Sequence, residues 1–395
     1  MIYNRFNSVS ISQFGQFFRY KLLFLIGIAV VFFSCSNLKQ TTKYESNLRL
    51  QLLNSIEIPF GKTFQNTIVG GLSGIDFDAK NDLYYLICDD RSVFNDARFY
   101  TAKIKLLENK LQSVDFISMQ VLKNETGTVY GNWNTVPNLS SDPEDIRYNP
   151  RTNTLVWSSE GARSISKDKL VLQDPFLNFM DLNGNFIGNA TLPNNLKMHQ
   201  LEKGPRSNGT LEGITFDKRY KTIYTNLEEP LFEDGDQATT SKGGLIRLYQ
   251  FNARTNKNTA QYVYRLEPIA REAEPKGSFA VNGVSAIQYY GKNQLLVVER
   301  SYSTGTPACT VKVFLCNLKN ATNVQNSATL QNQNLQLASK KLILNMDDLG
   351  VFIDNVEGIT FGPKLSNGNQ SLLLVTDNNF SNKQKTQIFL FEVVE

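Results

Sequence analysis

The common catalytic devices find little to work with in this chain. Its 395 residues include one histidine, four cysteines and two tryptophans. The histidine, His199, lies in the loop-like stretch Lys197-Met198-His199-Gln200, so a Ser-His-Asp relay would rest on one residue without a placed partner. No G-x-S-x-G elbow, P-loop or dinucleotide glycine fingerprint occurs. No C-x-x-C spacing occurs either, which removes the usual thiolate metal centres. Cys88 ends the apolar run from Leu83 and reads as a small buried hydrophobe. Cys309 and Cys316 flank six strand-forming residues, which would hold the two thiols about 20 Å apart, too far for a bridge. No disulfide is required. Trp133, in Asn132-Trp133-Asn134, and Trp157 read as packing residues rather than a sugar platform.

Net charge is also scarce. The formal value is +4, and Arg5, Arg19 and Lys21 lie in a leader expected to be removed, leaving about +1 by the same count. Basic residues are scattered rather than clustered, which excludes nucleic acid as a partner. Long apolar runs are missing as well. Leu22 to Phe33 is too short for a bilayer span, which needs roughly 20 residues, but behind Arg19 and Lys21 it suits a signal-peptide core. The run ends at Phe32-Phe33-Ser34-Cys35, where a small residue precedes cysteine as in a lipobox, although Phe32 stands where Leu is usual. The expected organisation is a signal peptide over 1–34, a lipidated Cys35 with a polar tether over 35–47, and one domain over 48–395. The localisation that follows is the cell envelope, at the periplasmic or outer-membrane face, with the N-terminal lipid as the membrane contact and the domain a monomer. The simpler reading is an ordinary signal peptide with an incidental cysteine.

After residue 48 no convincing amphipathic helix of ten residues appears. There is instead an abundance of aromatics, 26 Phe and 16 Tyr, among β-branched runs separated by Asn, Gly, Ser and Thr. Short strands joined by polar turns have this profile. The strands recur with a beat. Ser73-Gly74-Ile75, Glu144-Asp145-Ile146, Glu212-Gly213-Ile214, Ser285-Ala286-Ile287 and Glu357-Gly358-Ile359 start units 71, 68, 73 and 72 residues apart. A period of this size sets the fold.

Within the third unit, Gly213–Phe216, Thr222–Asn226, Gly244–Phe251 and Gln261–Leu266 read as four successive strands. The first unit shows the same four. Four antiparallel strands repeated radially make an all-β propeller blade. The fifth unit lacks its fourth strand, and an orphan strand-like run, Leu48 to Ile58, precedes the first. That N-terminal strand would complete the last blade, close the ring and remove its exposed edges. Five blades are expected; six would need a cryptic repeat for which there is no space.

In a blade, the start of strand one and the end of strand two meet at one rim. This places Glu144, Glu212 and Glu357 around one mouth with Asp89, Asp90, Glu160, Glu228, Glu229, Glu299 and Asp377. So many carboxylates raise one another's pKa unless a cation compensates. Ca²⁺, which takes six to eight oxygen ligands, would serve. Arg91, Arg163 and Arg300 follow strand-two acids by one to three residues and could grip phosphate oxygens. The bland alternative is that the acids accept backbone N–H groups of the next blade and tie the ring together. Three Glu and two Ser at one repeat position argue for a differentiated site instead.

The segments GGLSGIDFD (70–78), DPEDIRYNP (142–150), LEGITFD (211–217), NGVSAI (282–287) and NVEGITFGP (355–363) resemble the phytase-like, or "esterase-like activity of phytase", family of exported bacterial proteins. The likeness spans about residues 67 to 394. It implies a propeller with a phosphoester-hydrolysing site on its recurrent acids. Here these are Glu144, Glu212 and Glu357 as catalytic groups, with Asp89, Glu160, Glu228, Glu299 and Asp377 in support as metal ligands. Ser73 and Ser285 stand where other repeats carry Glu, and Asp145 where Gly is usual. The expected function is therefore a metal-assisted hydrolase of a small phosphate ester or related ester. The alternative is a non-catalytic propeller that binds a ligand or partner protein through the same mouth.

Overall fold

Apolar residues line both faces of the inner strands, because each four-stranded sheet is sandwiched between two others. Leu83–Cys88 is buried from its second residue on, and Gln370–Asp377 likewise. A strand apolar on both faces cannot sit at a surface, so these sheets stack radially. The computed structural model describes residues 47–166 and 170–395. Cys35, the leader and the tether up to residue 46 lie outside the described residues.

Five four-stranded antiparallel sheets form a five-bladed β-propeller. Blade 1 comprises Leu72–Asp78, Leu83–Cys88, Arg98–Leu107 and Lys110–Val121. Blade 2 comprises Pro143–Asn149, Thr154–Ser159, Phe176–Met180 and Phe186–Asn189. Blade 3 uses Leu211–Phe216, Thr222–Leu227, Leu245–Asn252 and Lys257–Arg265, and blade 4 uses Ala280–Gly291, Gln294–Ser303, Thr310–Asn317 and Ser339–Asn345. In blade 5, Asn355–Lys364, Gln370–Asp377 and Thr386–Val394 are joined by Arg49–Ile58, which pairs antiparallel with Thr386–Val394. The N-terminal strand therefore supplies the outermost strand of blade 5 and closes the ring as its sequence position implied.

The core lies between blades. Ile214, Ile223 and Leu248 of blade 3 cluster with Val284, Ile287 and Val297 of blade 4, and equivalent clusters fill the other junctions. Cys88, Cys309 and Cys316 are free buried thiols within this packing. Down the axis, Arg147 of blade 2 is fully enclosed and donates to three carbonyls, those of Ile75 and Ile214 on the neighbouring inner strands and Ile287 across the ring. Its charge is balanced by Asp145 at 2.9 Å. This pair links the inner strands of blades 1, 2, 3 and 4.

Candidate functional site

One extra residue in each inner strand builds the site. The pairing of strand one with strand two slips between Leu72 and Gly74, Pro143 and Ile146, Leu211 and Ile214, Val284 and Ala286, and Val356 and Gly358. Ser73, Glu144, Glu212, Ser285 and Glu357 fall in these five bulges. A β-bulge re-aims a side chain out of the regular alternation. The glycine after the bulge lets neighbouring inner strands touch: a Cβ on Gly213 would stand 2.6 Å from the Ile287 nitrogen, and one on Gly74 2.6 Å from the Asp145 Cα.

The next register position completes a second ring. Cys88, Ser159, Leu227, Glu299 and Thr376 are the strand-two partners just beside the bulges. The residues that follow them are Asp89, Glu160, Glu228, Arg300 and Asp377. Four blades thus put an acid at this place, and blade 4 puts an arginine.

Glu299 is accordingly corrected as a mouth residue. It lies one position short of the ring, in a strand that runs on to Ser303, and a one-residue offset turns a side chain to the opposite face of the sheet. Its carboxylate instead ties blades together, accepting from Tyr264 Oη at 2.8 Å, the Glu267 nitrogen at 2.8 Å, Asn282 Nδ2 at 2.8 Å and Lys340 Nζ at 2.7 Å. The tie reading of the acids holds here. It also holds for Asp145, which accepts from the Ile214 nitrogen at 2.7 Å, and for one oxygen of Glu160, which accepts from the Thr210 nitrogen at 2.6 Å. At Ser73 and Ser285 the hydroxyls tie the ring, donating to the carbonyls of Pro143 and Val356.

Two of the three expected arginines are also corrected. Arg163 turns away to cap the carbonyls of His199, Gln200 and Leu201 and lies over the Phe232 ring. Arg91 is spent on Asp142 at 3.3 Å and stacks on Trp133, 3.7 Å from the ring centroid. Arg300 alone of the three lines the mouth, where Glu228 at 2.7 Å and Glu357 at 3.5 Å hold its guanidinium.

The mouth is a cavity of about 600 Å³. Its floor is carboxylate: Asp89, Asp142, Glu144, Glu160 and Glu212 on one side, Glu357 and Asp354 on the other. Phe279, Tyr302 and Phe352 stand at its rim, with the Phe279 and Tyr302 rings 6.1 Å apart. Carboxylate oxygens of Asp89, Asp142 and Glu144 approach within 4.8 Å of one another, as do those of Glu144, Glu160 and Glu212. The acidic residues could hold a metal ion. Every donor in both groups is oxygen, which suits a hard cation, and Cys309 nearby is held as a thiol by burial that pushes it up to about 11.

Burial raises Asp89, Asp142, Glu144, Glu160, Glu212 and Glu357, and neighbouring carboxylates push several of them further. Glu144, Glu160, Glu212 and Asp89 are driven well above the ordinary range, first by loss of solvent and then by their neighbours' charge. Asp142 and Glu228 rise by burial against the pull of Arg91 and Arg300. Burial, with the charge of Asp377 beside it, lifts Glu357 to about 8, and burial lifts Asp377 to about 6. Neighbours fall into couples close enough to share a proton: Asp89 with Asp142, Glu160 with Glu212, Glu357 with Asp377. Glu357, at about 8, keeps its proton at neutral pH, and a dication among the other acids would offset their mutual repulsion.

Asp142, Asp354 and Asn355 escaped the sequence reading. Asp142 and Asn355 stand two residues before a bulge, at the place filled by Gly71, Thr210 and Gly283 in the other blades. Residues two apart on a strand share a face, and that rule would have found both. Asp354 accepts from the Lys385 nitrogen at 2.8 Å and is positioned by a loop contact with no counterpart in the repeat.

A family model described as "Phytase-like: Esterase-like activity of phytase" matches residues 67–380. No curated protein matches the chain. Among solved structures it is similar to an endo-arabinase from Bacteroides thetaiotaomicron VPI-5482, with 11% identity over 87% of this chain and 98% of that one, at a TM-score of 0.42. An α-L-arabinofuranosidase from Lactobacillus brevis gives 10% identity over 82% and 91%, at 0.45. A periplasmic gluconolactonase from Pseudomonas aeruginosa gives 10% over 88% and 95%, at 0.33. Scores this low carry no inference about activity.

Proposed function

The chain belongs to the phytase-like (esterase-like activity of phytase) family, and from that premise we propose that it is a metal-assisted hydrolase of phosphate esters or related esters, working at the acidic mouth. The observation that carries this reading is the carboxylate of Glu144: only 7% of the residue is exposed, it lines the cavity, and it has no hydrogen-bond partner among the described residues. A buried acid left without a donor is costly unless a cation meets it.

In this reading Asp89, Asp142, Glu144, Glu160 and Glu212 hold the cation, and the all-oxygen donor set favours Ca²⁺. Such an ion supplies charge that polarises an ester oxygen and acidifies a bound water. The protein's own groups supply position and protons. Arg300, fixed by Glu228 and Glu357, meets substrate oxygens with an already oriented positive edge. Glu357 keeps its proton up to about pH 8 and is the group to protonate the departing alkoxide. Phe279 and Tyr302 at the rim give the leaving group an apolar surface and thin the water around it.

The reading extends to an exported protein anchored by lipid at Cys35 and acting as a monomer at the cell envelope. A screen of phosphomonoesters, phosphodiesters and carboxylic esters, with Ca²⁺ and after chelation, tests the chemistry. Turnover that chelation leaves unchanged would remove the metal from the account. The second reading, a non-catalytic propeller whose mouth receives a ligand or partner, draws on the exposure of Phe279, Phe352 and Leu201. It gains if nothing in the screen is turned over.

A further inference from the structure

Glu144 is the one residue common to both carboxylate groups. Asp89 and Asp142 approach it from the junction of blades 1 and 2, and Glu160 and Glu212 from the junction of blades 2 and 3. The outer members are partly engaged already. Asp142 is paired with Arg91 at 3.3 Å, and Glu160 accepts from the Thr210 nitrogen at 2.6 Å. Glu144 is buried, lines the cavity, and has no such partner among the described residues. An ionised carboxylate has two oxygens and about four acceptor positions, enough for one oxygen to face each group. One dication placed in either group would leave the far group of acids crowded and uncompensated.

We propose that the mouth binds two hard dications bridged by Glu144, one completed by Asp89 and Asp142 and the other by Glu160 and Glu212. This rests on the reading of the mouth as a cation site and deepens it from one ion to a pair. A carboxylate bridge sets ions close together; two-metal hydrolytic sites commonly have spacings of about 3.5–4 Å. Such a pair, held by these carboxylates, would supply positive charge to both the attacking and the leaving oxygen of an ester. The arrangement also accounts for the asymmetry of the bulge ring, since Glu144 and Glu212 occupy adjacent blades and the serines of blades 1 and 4 flank them.

The test is ion stoichiometry on the mature protein, read by titration calorimetry with CaCl₂ and by electron paramagnetic resonance with Mn²⁺. Two ions per chain and an exchange-coupled Mn²⁺ pair are expected. Glu212→Gln and Asp142→Asn should each retain one ion, uncoupled, with the lost site weakened at least tenfold. Glu144→Gln should abolish the coupling. One ion per chain in the wild type overturns the pair and leaves the single-cation reading standing, while no ion overturns both. Two magnetically independent ions, or a Glu212→Gln or Asp142→Asn variant that folds and loses both ions or neither, overturn the bridge. Circular dichroism on each variant keeps a folding failure from being read as a lost site.

Discussion

Arg300 occupies in blade 4 the position that the other four blades fill with an acid, and it donates to the acid of the preceding blade, Glu228, at 2.7 Å. The pair is nearly buried, with side-chain exposures of 13% and 4%. Removing one member of a buried ion pair strands the other charge, at a cost of roughly 3–5 kcal/mol. Arg300→Met should therefore lower both the melting temperature and the turnover. Adding Glu228→Gln should recover most of the stability and none of the activity. Recovery of both in the double variant would reduce Arg300 to a structural residue.

Proton linkage gives a second expectation. Glu357 is raised to about 8 and Glu229 to about 7, in each case by burial first. A carboxyl whose pKa is higher folded than unfolded stabilises the fold below its ordinary value, and that stability is lost as the pH rises through the folded pKa. Metal-free protein should consequently melt several degrees lower at pH 8 than at pH 5.5. Saturating Ca²⁺ should close most of that gap, because it replaces the protons of the mouth acids. Calorimetric scans at the two pH values, with and without the ion, check both halves; equal metal-free melting at the two would contradict them.

The close approach of the inner strands can be probed at one atom. A Cβ on Gly213 would stand 2.6 Å from the Ile287 nitrogen, and neither backbone can move without opening the junction of blades 3 and 4. Gly213→Ala should cost about 1–3 kcal/mol, the range for overpacking a tight contact, measured by urea unfolding. Gly127→Ala is the control for added bulk: a Cβ there meets nothing within 4 Å, although its φ of +78° adds some backbone strain. A smaller cost at Gly213 than at Gly127 would refute the contact.

Export is tested separately from chemistry. If Cys35 carries the lipid, Cys35→Ala should abolish labelling by a fatty-acid analogue and release the domain into the soluble envelope fraction. Membrane retention of the unlabelled variant would disprove the anchor.

Much of this architecture was written in the sequence because it depends on periodicity. The beat that opens at Ser73 and recurs at Glu357 gave the blades, and the missing fourth strand of the last repeat gave the closure by Arg49–Ile58. Strand pairing follows from local apolar patterning, which a single sequence displays. The mouth was legible only to within one residue. Taking the acid that ends the second apolar run as the ring position picked Glu299, but the pairing beside the bulge puts Arg300 there, and a one-residue slip on a strand exchanges faces. Arg91 and Arg163 were misread for another reason. What a surface arginine does depends on which loop carbonyl, ring or acid comes within reach, and the loops at 132–142 and 199–204 that supply those partners have no repeat to reveal them. Asp354 was lost in the same way.

The central claim, that the carboxylate mouth is a cation-dependent hydrolytic site, is tested most directly by assaying wild type and Glu212→Gln side by side on the best ester from the screen, with melting temperatures taken on the same samples. Wild type should need Ca²⁺ for turnover and melt higher in its presence. Glu212→Gln should fold, lose at least a hundredfold in turnover and show a reduced thermal response to the ion. If no ester is turned over and Ca²⁺ leaves the melting temperature of the wild type where it was, the account is contradicted.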